Sequence, residues 1–86
     1  MKNSWLFCLL RSSMTLASKV VGTYLWFKSG CGMSETCVTM PELRYATRIA
    51  DTNVRLSIKA LERYGWIVVN HKHYSSDYHI TLKEKV

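Results

Sequence analysis

No long apolar run occurs in this chain. A membrane span needs roughly 20 consecutive apolar residues, and Arg11, Lys19 and Lys28 interrupt the only candidate region. A secretory leader is not indicated either. The apolar run WLFCLL stops at Arg11, short of the roughly 7–15 residues that a leader core requires. Cysteine is scarce: Cys8, Cys31 and Cys37 are odd in number and include no CxxC pair, which argues against a disulfide framework or a zinc knuckle. They read as reduced thiols, and the expected location is cytoplasmic. Proline occurs once, at Pro41, and there is no internal repeat, low-complexity tract or dividing linker. Acids are few as well. Six Asp and Glu face twelve Lys and Arg, for a formal net charge of +6 and a pI near 9.5.

What is present describes a small folded domain. At 86 residues the chain suits one domain with a modest core. Its 48% apolar and 21% charged residues are a globular balance. The basic excess points to an anionic partner, either nucleic acid or a membrane surface.

Hydropathy patterning sets the element order. Residues 3–11 are apolar without clean alternation; a short helix or a strand would fit, and a helical turn packed on the core is the preferred reading. In the next segment Ser13 or Thr15 can cap a helix. Leu16, Val20, Tyr24 and Phe27 recur at helical spacing there, with Ala17, Val21 and Leu25 widening the stripe. Gly22 weakens that helix by roughly 1 kcal/mol relative to Ala, which suggests a close approach by another element. Gly30 suits the helix end. Residues 37–40 are β-prone, Pro41 opens a short helix over 41–48, and Asp51 or Thr52 caps a third helix that runs to Tyr64 and stops at Gly65. Beyond it, Trp66 to Val69 and Tyr78 to Leu82 read as a β-hairpin. A turn centred on Ser75 and Ser76 would set Val69 against Leu82.

The helix ending at Tyr64 is sharply two-faced. Val54, Ile58 and Leu61 share one side. At about 100° per residue, Thr52, Leu56, Lys59 and Arg63 lie opposite, with Arg55 beside them. The expected fold class is therefore α+β: helix, short strand, short helix, turn, helix, hairpin.

That order, with the stretch TMPELRYATRIADTNVRLSIKALERYGWI over residues 39–67, resembles the winged helix-turn-helix domains of bacterial transcription regulators. It is more similar still to those of phage and plasmid replication proteins. Leu43, Ile49, Val54, Ile58, Leu61, Gly65 and Ile67 match the family's apolar pattern in register. The family's turn carries Gly where Arg48 stands, a small residue where Arg44 stands, and a Ser or Thr cap where Ala50 stands. The resemblance implies a single domain with an N-terminal extension over 1–12, a helical core over 13–65 with the helix-turn-helix near 41–64, and a wing over 66–82.

It also implies a duplex-DNA-binding regulator of transcription or replication. An α-helix fits the major groove, and its outward side chains reach base edges. Thr52, Arg55, Lys59 and Arg63 would face the groove. Asn53 can pair with adenine, Arg55 with guanine, and Leu56 can touch a thymine methyl or a second subunit. Arg44, Tyr45 and Arg48 would reach the phosphate backbone, and Lys72, His73, Ser75 and Ser76 would form the wing tip. A homodimer is expected on a two-fold site, with Trp5, Leu6, Phe7, Leu9 and Leu10 as the expected contact surface. Two rival readings are a winged-helix module that binds protein instead of DNA, and a basic, apolar segment lying on a membrane surface.

Other side chains have plainer readings. Basic residues on one helix are often only a solvated face. Tyr45, Tyr64 and Trp66 are expected to pack, and Trp5, Trp26 and Phe27 to lie in the core or an interface. His71 and His73 share one face of the expected hairpin and His79 the other, which argues against a metal site. Cys37 could meet a His only through the fold, with no glycine-rich loop or carboxylate expected beside it. No enzyme activity and no cofactor are expected.

Overall fold

The computed structural model describes residues 3–30, 32, 34–70 and 77–83. Its described elements are α1 (Asn3–Arg11), α2 (Leu16–Lys28), β1 (Thr36–Val38), α3 (Met40–Thr47), α4 (Asp51–Arg63), β2 (Ile67–Asn70) and β3 (Tyr78–Leu82). The strands form one antiparallel sheet in the order β1-β3-β2. The class is α+β, as expected. Among the described residues, no helix is long and apolar enough to cross a membrane.

Local chemistry sets the boundaries. Thr15 caps α2, its hydroxyl accepting from the Ser18 N–H at 3.2 Å. Thr39 and Glu42 form a reciprocal capping box that starts α3, with Pro41 in the first turn. The far end of α4 is a Schellman closure. The Gly65 N–H donates to the Glu62 carbonyl at 3.1 Å and the Trp66 N–H to the Leu61 carbonyl at 2.8 Å, while Gly65 takes the left-handed φ of 78° that this closure requires. The chain leaves that turn directly into β2.

The core draws on every described element. Trp5 and Leu9 come from α1, Val21 and Leu25 from α2, Val38 from β1 and Leu43 from α3; Val54, Ile58 and Leu61 on α4 meet Ile67, Val69, Ile80 and Leu82 from the hairpin strands. Trp5 and Trp66 pack edge to face at 5.9 Å, and the Trp5 indole N–H donates to the Trp66 carbonyl at 3.1 Å. Gly22 allows α1 to sit this close: a Cβ there would lie 2.3 Å from Leu9 Cδ2. The expected turn over 3–11 is thus a helix of nine residues seated in the core.

Three expectations are corrected. The buried side of α2 is Ser18, Val21, Gly22 and Leu25, so the stripe begun by Leu16 and Val20 points outward, with Leu16 78% and Phe27 73% exposed. The helix is apolar nearly all round, and periodicity alone could not say which side faces in. Second, α4 begins at Asp51 with Ala50 as its N-cap and no side-chain cap bond, so neither Asp51 nor Thr52 is the cap. Third, Val69 pairs with Ile80 and Ile67 with Leu82, a register two residues away from the expected one. A slip of two keeps every side chain on its face, so the apolar alternation fitted both registers.

Candidate nucleic-acid interface

Helices α3 and α4 meet at a tight corner. Arg48 ends α3 in the left-handed region, φ 60° and ψ 28°, at the position where the resembled family has Gly. Ile49 tucks partly under the core and Ala50 opens α4. Thr47 reinforces the corner twice: its hydroxyl donates to the Leu43 carbonyl at 2.6 Å and accepts from the Ile49 N–H at 3.3 Å.

The corner sorts the side chains of α4. Val54, Ser57, Ile58 and Leu61 go inward. Thr52, Asn53, Arg55, Leu56, Lys59 and Arg63 are all exposed, as are Arg44, Tyr45 and Arg48 on α3. Every described member of the expected site therefore lies on the surface. Lys72, His73, Ser75 and Ser76, the expected wing tip, lie outside the described residues, as do His71 and Cys31.

The cations are not equivalent. Arg55 Nε lies 3.2 Å from Asp51 Oδ2, one helical turn back, and lines a cleft with Asp77 and Tyr78 at the start of β3. The Asp51 carboxylate thus competes with any external anion for this guanidinium. Arg48 stacks its guanidinium 5.9 Å from the Tyr45 ring centre, and Arg63 does the same over Tyr64. Arg44, Tyr45 and Arg48 line one open depression with Pro41, Ile49 and Ala50. Arg48 and Asn53 line a second with Leu16 and Val20 of α2. The expectation that Tyr45 and Tyr64 pack is overturned: Tyr45 is 81% exposed and Tyr64 is also open, while Trp66 alone of the three is buried. Leu56 is 58% exposed, an apolar side chain near the middle of a cationic surface.

Behind this surface lies a polar hub that the sequence reading did not anticipate. The Glu42 carboxylate accepts from the Tyr24 hydroxyl at 2.6 Å and from the Lys28 ammonium. Lys28 also donates to the Cys37 carbonyl at 3.0 Å. The hub ties α2 to α3 and β1. Burial works to raise the Glu42 carboxyl, but the hydrogen bonds from Lys28 and Tyr24 outweigh it and hold the group below its ordinary value. The bond to Glu42, together with burial, pushes the Tyr24 phenol up to about 12. The Thr39-x-x-Glu42 spacing was a readable capping signal; the Tyr24 and Lys28 contacts are non-local and had none.

Across the sheet, Cys37 stands opposite His79. Its Sγ lies 3.8 Å from Asp77 Oδ2. Desolvation and the Asp77 carboxylate push the thiol up from its ordinary value, away from the thiolate that nucleophilic chemistry needs. Among the described residues, no group of three His, Cys, Asp or Glu side chains is placed to hold a metal ion. Comparison of the chain with protein-family models, with curated proteins and with solved structures finds no match.

Proposed function

We propose that this chain is a winged helix-turn-helix protein that binds duplex DNA, with α4 in the major groove and the β2–β3 hairpin as the wing. The observation that carries the reading is the solvent-open polar and basic side of α4, held out by a buried apolar side and joined to α3 through a left-handed corner. Arg44 and Arg48 flank that side from α3, where they suit phosphate contacts. Lys59 and Arg63 supply the open positive charge on α4. Asn53 and Thr52, exposed in its first turn, suit contacts to base edges. Arg55 contributes less than its position suggests, because Asp51 already pairs with it. The role in transcription or replication control rests on the resemblance alone, and the reading assigns the chain no catalysis and no cofactor.

Leu56 favours a second reading, in which the same face binds a protein. One experiment separates the two: fluorescence anisotropy of a labelled random-sequence duplex titrated with the chain at low salt. Saturation at micromolar protein is expected, with a roughly tenfold or greater loss in a Lys59→Ala, Arg63→Ala double variant that melts at the parent temperature. No binding at micromolar protein would remove the nucleic-acid reading and leave the protein-binding one.

A further inference from the structure

We infer that the outward ridge of α2 is a contact between two copies of this chain, packed antiparallel across a two-fold axis at the middle of the helix. The ridge is Leu16, Val20, Thr23 and Phe27. Its spacing of four, three and four is that of a helix-pairing seam. At about 100° per residue these four lie directly opposite the buried side of α2. Leu10 and Trp26 flank the ridge and line the same groove.

The pattern fits itself. A two-fold interface needs a surface complementary to its own copy. An antiparallel helix crossing between Val21 and Gly22 sets Leu16 against Phe27 of the second copy and Val20 against Thr23, then repeats both pairs on the far side of the axis. Lys19, the one charged side chain among the groove residues, falls beside Trp26 of the second copy, where an ammonium is welcome over an indole face. A bulky end meets a bulky end and a small centre meets a small centre.

The area is modest. The exposed parts of Leu10 (48%), Leu16 (78%), Val20 (38%) and Phe27 (73%) make a patch of four side chains per copy. A standard stable interface buries about 800 Å² per partner. The expected dimer interface is therefore smaller than a standard one, and the dimer reversible. This centres the contact on α2, with Leu10 of α1 at its margin, while Trp5 and Leu9 of the expected N-terminal surface are committed to the core. The inference stands apart from the nucleic-acid reading.

Sedimentation equilibrium of the full chain, from micromolar to millimolar and without DNA, tests it. The weight-average mass should climb from 10.0 kDa towards twice that value. Leu16→Lys and Phe27→Glu, both at exposed positions, should each keep the parent's circular-dichroism melt and each weaken association at least tenfold. An equimolar mixture of the two should associate again, because one opposed pair becomes Lys against Glu and the other stays Leu against Phe. A parent that remains monomeric throughout would overturn the proposal, and so would a parent monomer that instead co-sediments with anionic phosphatidylserine vesicles. Association that survives both substitutions, or a mixture that fails to recover it, would overturn it equally.

Discussion

Arg48 and Ala50 are the two residues on which the α3–α4 corner turns, and neither is locally optimal. Arg48 holds φ at 60°, a region costing a residue with a Cβ about 1–2 kcal/mol. Arg48→Gly should relieve that strain, less the entropy Gly loses on folding, for a net gain of about 0.5–1 kcal/mol in urea unfolding. The same change removes a cation beside the exposed basic side of α4, so on the proposed reading duplex affinity should fall several-fold. Opposite movement of stability and binding would mark Arg48 as kept for its charge. If both rise, Arg48 does not touch the ligand. Ala50 offers a simpler case. Its backbone already has N-cap geometry, φ −62° and ψ 151°, without a side-chain acceptor. Ala50→Ser should add about 1 kcal/mol, seen as a rise of several degrees in the calorimetric midpoint. An unchanged midpoint would mean that the first-turn amides of α4 are already satisfied. Ile58→Ala, by contrast, truncates a residue in the middle of the core and should cost about 2–5 kcal/mol.

Between elements, the α2–α3 joint depends on Glu42. Its folded-state carboxyl lies below the ordinary value, so the contribution is fully present above the unfolded-chain value and lost as pH falls through the folded one. Tyr24 works from the other side. Its phenol, raised from 10.0 to about 12, contributes below its ordinary value and loses that contribution as pH rises through the raised one. The Lys28 and Glu42 side chains keep 33% and 26% of their exposure, so the ion pair itself is worth at most about 1 kcal/mol. Glu42→Gln keeps an oxygen for the capping box but no charge. Thermal melts of parent and variant should differ at neutral pH and converge as the solution is acidified below the ordinary carboxylate range. A difference that persists unchanged at the acid end would mean that packing, not charge, joins these helices. How much of this was readable follows element by element. Helix α4 has one apolar and one polar side, so its face, its length and the exposure of its basic residues could be read directly. Helix α2 could not be oriented, because Ser18 and Gly22 line its buried side while Leu16 and Phe27 lie outside. The β1–β3 pairing joins residues some forty positions apart, and nothing local encodes it. The Asp51–Arg55 pair was visible in its spacing of four, but the cleft that Arg55 lines with Asp77 comes only from the fold.

At the scale of the described residues as a whole, the basic side chains of α3 and α4 lie next to an apolar patch on α2. The positive side chains of α3 and α4 occupy one surface, and the α2 ridge borders it through Leu16 and Val20, which share a depression with Arg48 and Asn53. Two copies joined at the ridge would therefore bring two basic surfaces into one assembly, and the salt dependence of binding can count them. Each phosphate neutralised contributes a slope of about −0.9 in log affinity against log salt on B-DNA. Arg44, Arg48, Lys59 and Arg63, which make no ion pair among the described residues, give a slope of roughly −4 per copy. A duplex long enough for two copies should give a value near twice that for the parent. Phe27→Glu, which leaves the four cations in place but splits the pair, should return to the single-copy slope while the short-duplex affinity changes little. The measurement is anisotropy at a series of potassium chloride concentrations on a short and a long duplex. Equal slopes on both duplexes would show that one copy binds alone, and a slope near zero would show that the basic surface of α4 meets no phosphate at all.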